Sequence, residues 1–349
     1  MAAVHCVIIG FSMTDSPRKL IYEYDDIRGD GHATPAANIN PYLVDAPDII
    51  LPRRSHSICS APEIGIGNKP IDDGNYLFTP TEKREFIERE PNARGYFRRW
   101  LGASEFITGA ERWFLWLGRC PPEELRKMPE AMKRVEAVRR FRLASKSAPT
   151  RKLAETPTQF HVENIPQGDY LVFPRHSSET RRFIPLGYFG ANFLAGDACL
   201  IAQNVSTFEF GVLSSTMHNA WVRYTCGRIK SDFRYSASIV YNNFPWPGSP
   251  ADAQKQKIEI AAQGVLDART GFPDASLADL YDPLTMPPVL LKAYQALDAA
   301  VDAAYGLKSF KNDAERVAFL FELYQKYTSL LPAPAIGKKR RVQARKVGN

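Results

Sequence analysis

Between Pro157 and Pro247 the sequence falls into short runs of Val, Ile, Phe and Tyr separated by Pro, Gly and Ser, and after Pro250 it turns to Ala, Leu, Asp and Gln. That change of texture constrains the fold more than any other feature. Short β-branched and aromatic runs between turn formers suit strands, whereas apolar residues three and four apart in Ala- and Leu-rich text suit packed helices. The expected class is α+β, a mixed, sheet-containing part followed by a C-terminal helical region. Three helices can be drawn in that region, one over about 252–268, one from Pro287 to Ala304 and one beginning at Asn312. In the last, Glu315 completes a capping pair with Asn312, and Val317, Leu320, Phe321 and Tyr324 form a core stripe.

Before Pro157 the signals are local. Val4-His5-Cys6-Val7-Ile8-Ile9-Gly10-Phe11 has the pattern of a buried strand. Asp25 to Pro35 reads as a loop, and Asn38 to Gly74 as irregular connections in which Gly65 and Gly67 are turn residues. Thr79-Pro80-Thr81-Glu82 is a capping box with proline at the first helical position, which predicts a helix from about Pro80 to Glu90. From Glu123 to Ser145, Leu125, Met128, Met132, Val135, Val138 and Phe141 recur at helical spacing among Lys127, Lys133, Arg134, Arg139, Arg140 and Arg142. This predicts a long basic amphipathic helix, broken near Pro129.

Charge narrows the choice of partner. The net charge of +7 is concentrated in two places, residues 94–152 with 15 Lys and Arg against 6 Asp and Glu, and residues 336–349 with 6 against none. Clustered cations suit a polyanion, because each one placed on a phosphate releases condensed counterions; they also suit a solvated helix face and a disordered tail. No run approaches the roughly 18 apolar residues of a membrane span, and the first residues lack a signal-peptide pattern, so the expected compartment is the cytoplasm and no membrane partner is expected. The five cysteines, Cys6, Cys59, Cys120, Cys199 and Cys226, are odd in number and contain no Cys-x-x-Cys. Reduced, mostly buried thiols are expected.

Catalytic chemistry is hard to find. Modification of an exocyclic base amine needs a binding loop for S-adenosylmethionine and an Asn/Asp-Pro-Pro-aromatic turn, but Pro121-Pro122 follows Cys120 and Pro287-Pro288 follows Met286. No Asp/Glu-x-Lys tripeptide of a metal-dependent nuclease occurs, and His5, His32, His56, His161, His176 and His218 show no metal-ligand spacing. No catalytic residue and no metal ligand is assigned.

Binding chemistry is easier to find. Arg228 to Tyr235 alternates strictly, and as one strand it would place Arg228, Lys230, Asp232 and Arg234 on one face and Ile229, Ser231, Phe233 and Tyr235 on the other. Such a face can offer a cation to guanine O6 and N7 and a carboxylate to cytosine N4; it can equally be a solvent face with a cross-strand ion pair. A second stretch, Pro174 to Pro185, offers Arg175, Arg181 and Arg182 with Ser177 and Ser178 for DNA-backbone contacts, and Glu179 to orient an arginine. Alone, it is also an ordinary loop held by local hydrogen bonds.

Ala3 to Phe11, Asn38-Ile39-Asn40-Pro41-Tyr42-Leu43, Gly102-Ala103-Ser104-Glu105-Phe106-Ile107, Ser177-Ser178-Glu179-Thr180-Arg181, Met217-His218-Asn219-Ala220-Trp221-Val222-Arg223, Lys230 to Ser236, Tyr241-Asn242-Asn243-Phe244-Pro245-Trp246-Pro247 and Leu277 to Pro283 form a series of multi-residue segments. In this order they resemble the C-terminal half of MmeI-like (type IIL) restriction-modification enzymes. In that family a nuclease, a helical connector, an adenine-N6 methyltransferase, a target-recognition domain and a C-terminal helical region follow one another. The resemblance implies that residues 1–37 are the end of a methyltransferase domain, 38–250 a DNA target-recognition domain, 251–335 the helical region and 336–349 a basic disordered tail. It implies double-stranded DNA as partner, with Arg228, Lys230, Asp232 and Arg234 reading bases and Arg175, Ser177, Ser178, Arg181 and Arg182 on the backbone. The family varies at the Lys230-x-Asp232 position between Lys-x-Asp and the charge-swapped Glu-x-Arg. S-adenosylmethionine is expected only in a catalytic domain or partner chain outside this sequence, so the chain is expected to act as a recognition module, as the DNA-binding subunit of a split enzyme, or as a fragment without function.

Overall fold

The computed structural model describes residues 7–24, 29–306 and 309–329. Its first element is a hairpin of β1 (Lys19–Glu23) and β2 (His32–Ala36), so the expected loop ends in a strand. Val7 to Phe11, expected as part of a buried strand, forms none; Val7, Ile8, Ile9 and Phe11 are exposed, and among the described residues no strand pairs with them. Val4 to Cys6 and the tail from Gly337 lie outside the described residues.

Next comes a four-stranded sheet in the order β10-β5-β6-β4, built from β4 (Leu77–Phe78), β5 (Phe97–Leu101), β6 (Trp113–Leu115) and, in parallel with β5, β10 (Phe193–Ala195). The Thr79 box starts α1 (Pro80–Arg89) as the sequence predicts, with Thr79 Oγ1 accepting from Glu82 N and Glu82 Oε2 from Thr79 N. A short α2 (Ala103–Thr108) follows β5. The basic helix is broken at Pro129 as expected, into α3 (Pro122–Leu125) and α4 (Pro129–Leu143), with α5 (Ala148–Lys152) behind it. Its apolar stripe differs from the expected one: α4 buries Ala131, Val135, Val138 and Arg142, while Met132 and Phe141 are exposed. With Phe78, Phe86, Phe97, Trp100, Phe114 and Trp116, three of these, Ala131, Val135 and Val138, build one core.

A second four-stranded sheet, in the order β3-β11-β7-β9, joins β3 (Ile64–Ile66), β7 (Tyr170–Pro174), β9 (Gly187–Phe189) and β11 (Cys199–Gln203). Gly65 therefore sits in a strand. Gly67 follows it where a Cβ would meet Gly196 O at 2.3 Å, so close backbone approach, and no turn, requires that glycine. β7 is buried on both faces: Leu171 and Phe173 enter one core with Leu200 and Ala202, and Tyr170 and Val172 enter another with Cys199 and Ile201. Cys199 is buried, but Cys59, Cys120 and Cys226 are only half-buried.

Not all of the stretch from 157 to 247 is sheet. Ser206 and Glu209 cap α6 (Thr207–Ser214), α7 (Thr216–Thr225) follows directly, and a π-helical turn spans Ala237–Tyr241. α7 is nearly all buried and α6 is buried from Phe210 onward, which hides the one-sided pattern that marks a surface helix. They are packed by α8 (Asp252–Thr270), α10 (Pro288–Ala304) and α11 (Asp313–Ser329), while the short α9 (Leu277–Leu280) lies against α2. At α11 Asn312 Oδ1 accepts from Glu315 N, as the capping pair requires. Ile258, Ala262, Val265, Leu290, Tyr294, Leu297, Val317, Leu320 and Phe321 share one core with Phe210, Met217 and Trp221, so the helical region and the second sheet form a continuous body.

Candidate nucleic-acid interface

The two stretches singled out in the sequence meet in one small sheet. Residues 228–235 are not a single strand. They fold as β12 (Gly227–Ile229) and β13 (Asp232–Arg234) around a turn at Lys230 and Ser231, and β13 pairs on its other edge with β8 (His176–Ser177) from the Pro174–Pro185 stretch. Lys230 takes φ +55, a left-handed conformation that costs an ordinary residue roughly 1 kcal/mol.

The hairpin redistributes the charges expected on one face. Opposed residues of an antiparallel pair share a face, and the register sets Asp232 against Ile229, Arg234 against Gly227 and His176, and Phe233 against Arg228 and Ser177. Phe233 and Ser177 are buried, so their face turns inward, and His176, Ile229, Asp232 and Arg234 face solvent with Lys230 at the tip. Arg228 is the correction. It lies on the Phe233 side, with its guanidinium 4.6 Å from that ring, donating to Ser231 O at 2.8 Å and to Arg223 O at 3.2 Å, and 3.9 Å from Glu179. It braces the turn, and Glu179 does lie beside an arginine, as expected.

The backbone-contact set is also divided. Ser177 is inside, so its hydroxyl is not on the surface. Arg175, half-buried, donates to Asp197 O at 2.7 Å and carries its carbonyl to Tyr235 N. Ser178 Oγ lies 2.9 Å from Thr180 Oγ1, and Arg181 is half-buried. Arg182 is exposed, over Phe183 at 5.3 Å. Asp232 Oδ1 receives Glu179 N at 3.4 Å, which ties this loop to the hairpin. The imidazole of His176 is held below its usual range first by partial burial and then by the cations Arg175 and Arg234, with Asp232 opposing them.

Sequence reasoning missed the support beneath this sheet. His218 on α7 lies with Nδ1 2.8 Å from Leu213 O and Nε2 3.0 Å from Tyr235 Oη, so the neutral ring donates from Nδ1 and accepts at Nε2. Asn219 Oδ1 accepts from Ile184 N at 2.8 Å while Nδ2 donates to Ser214 O and Ser215 O. Burial, opposed only by the Leu213 carbonyl, holds His218 down to about 3. The native state therefore binds fewer protons than the unfolded chain between that value and the ordinary 6.5, and stability is lost as pH falls through this window. Going from pH 7 to pH 5, His218 is expected to remove about 2 kcal/mol. Denaturant melts of the chain and of His218→Gln at both pH values check this; equal losses in the two proteins would refute it.

Among the described residues no cluster of His, Cys, Asp and Glu could hold a metal ion, and no helix is long and apolar enough to cross a membrane.

Comparison with known proteins fits this geometry. The family model for the MmeI target recognition domain matches residues 45–248, and that for the MmeI C-terminal domain matches residues 250–332. A curated relative, DNA methyltransferase A of Bacillus subtilis (strain 168), is 36% identical over 327 residues, covering 94% of this chain and 36% of its own. A solved structure, the type IIL restriction-modification enzyme MmeI in complex with DNA, is 48% identical with a TM-score of 0.86, covering 91% of this chain and 42% of that one. The chain thus spans about two fifths of the length of these relatives.

Proposed function

This chain belongs to the MmeI family, and from that premise we propose that it reads the DNA target for a restriction-modification methyltransferase that acts on the exocyclic amine of adenine. The observation that carries the reading is the meeting of two segments some fifty residues apart in the β12-β13-β8 sheet, whose outer face presents charge on a rigid support. Lys230 and Asp232 are the base readers, with Arg234 beside them; Arg228 holds the turn that presents them. Arg182, Ser178 and Arg181 contact the DNA backbone, and Arg175 and Ser177 serve by fixing the loop. The strained turn supports this assignment: glycine or asparagine would occupy it at lower cost, and what lysine adds is a long cation at the tip. In this reading S-adenosylmethionine and the methyl-transfer residues lie outside this sequence.

A related reading makes the chain the DNA-binding subunit of an enzyme completed by a separate methyltransferase chain. The exposed apolar run Val7, Ile8, Ile9, Phe11 and Met13 is a surface that a methyltransferase domain would cover in either reading, whether on the same polypeptide or on a separate chain.

The test is duplex binding at graded salt. Affinity is expected to fall steeply, with a log–log slope that shrinks by roughly 0.9 for each phosphate contact removed. Deleting residues 337–349, which carry the terminal cations, is expected to lower affinity for all duplexes alike. Loss for one sequence only would make the tail a reader, and salt-independent binding would refute the backbone contacts.

A further inference from the structure

Helix α7 is fastened at both ends by the C-terminal helical region. At its start, Asp298 of α10 accepts from Thr216 N at 2.7 Å and from Thr216 Oγ1 at 2.6 Å, capping the helix from another element. At its end, Arg223 Nη1 donates to Asp313 Oδ2 on α11 at 2.6 Å. Between and beyond these clamps the same helix grips the recognition sheet from beneath. His218 holds Tyr235, the residue after β13; Asn219 holds the backbone of Ile184; Arg223 Nη2 donates to Arg182 O, and Arg223 O receives Arg228. Loop and hairpin are thus both tied to one buried helix, and that helix to α10 and α11.

We propose that the C-terminal helical region is the mount that sets the position of the β12-β13-β8 sheet, acting through α7, with Asp313 and Arg223 as the positioning residues that join them. The inference rests on the reading of that sheet as a DNA reader. Physically, a bidentate base contact tolerates little displacement, whereas phosphate contacts through long flexible cations tolerate more. Loosening the mount therefore lowers specificity and spares nonspecific affinity. A guanidinium suits the joint because its fixed fork can serve the Asp313 carboxylate and the Arg182 carbonyl together.

The experiment uses the full chain carrying Asp313→Asn, Asp313→Glu, Arg223→Met or Lys230→Ala. Hydrogen exchange of amides in residues 176–184 and 227–235 is expected to rise at least about fivefold in Asp313→Asn and Arg223→Met, with β7 and α8 unchanged. The ratio of affinities for a selected duplex and a scrambled one is expected to fall about tenfold, with scrambled-duplex binding within about twofold. Asp313→Glu, which keeps the carboxylate, is expected to restore both readouts. Unchanged exchange in Asp313→Asn overturns the mount. Raised exchange with an unchanged ratio, alongside a ratio lost in Lys230→Ala, overturns its role in specificity. If Lys230→Ala also leaves the ratio intact, the DNA-reading assignment fails, and exchange alone decides the mount.

Discussion

Replacing Arg142 by methionine is expected to destabilise the chain by about 3–5 kcal/mol, far more than any exposed arginine of the same basic segment. Arg142 sits on α4 with 1% exposure and spends all five of its N–H donors on backbone carbonyls. Nε donates to Ile71 O at 2.9 Å, Nη1 to Leu153 O and Thr156 O at 2.7 and 2.9 Å, and Nη2 to Pro70 O and Gln159 O at 2.7 and 2.9 Å. The side chain staples the connection before β4 and the segment after α5 to the same helix. A methionine fills part of the volume and satisfies none of the carbonyls, and each one left dry costs roughly 1–3 kcal/mol before relaxation and water entry reduce the total. Lysine, with three donors and no fork, is expected to recover only part of the loss. Guanidinium melts followed by fluorescence of the tryptophans of this core check the value. A loss below about 1 kcal/mol would show that the carbonyls are readily hydrated and that the staple is dispensable.

Exchanging the charges at the hairpin tip, Lys230→Glu with Asp232→Arg, is expected to move the preferred base at one position from guanine to cytosine. Lysine donates to guanine O6 and N7 but cannot accept from the cytosine amine; aspartate accepts from that amine and is repelled by the guanine acceptors. The pair suits one orientation of a G·C step, and the swap reverses donor and acceptor. Discrimination of roughly 1–3 kcal/mol is expected for each bidentate contact. Because Lys230 lies in the turn and Asp232 opens β13, the two act from neighbouring points of a bend; the swap keeps the backbone that presents them. Either single change is expected to weaken binding more than the double, since each leaves like charges together or a base edge unmatched. Site selection from a randomised duplex pool reads the outcome. An unchanged preferred sequence in the double variant would reduce Lys230 and Asp232 to exposed side chains of the hairpin with no part in reading DNA.

Arg142 and Lys230 both stood out as cations in patterned segments, yet one is buried among carbonyls and the other stands at an exposed tip. Nothing local separates them. Periodicity placed α4, but Pro129 sets the start of the helix, and its phase against the sheet turns Ala131 and Arg142 inward and Met132 and Phe141 outward. Strict alternation from Arg228 to Tyr235 implied one strand with four charges on a face. The turn at Lys230 carries no glycine or asparagine, and without that cue a hairpin is indistinguishable from a strand.

Local sequence carries whatever depends on neighbours along the chain. It specified the proline-broken basic helix, the caps of α1 and α11, the three long C-terminal helices, the change from mixed to helical texture near Pro250, and family membership through motifs such as Lys230 to Ser236. Tertiary packing settles what depends on residues far apart. It joined His176 to Arg234 across one sheet, turned Ser177 and Phe233 inward and the charges of β13 outward, and set α7 between the recognition sheet and the C-terminal helices. The physical reason is that a cap or a helical stripe is settled by bonds spanning three or four residues. Which face of a short strand is solvated, and whether an arginine meets water or a carbonyl, is settled by whatever packs against it.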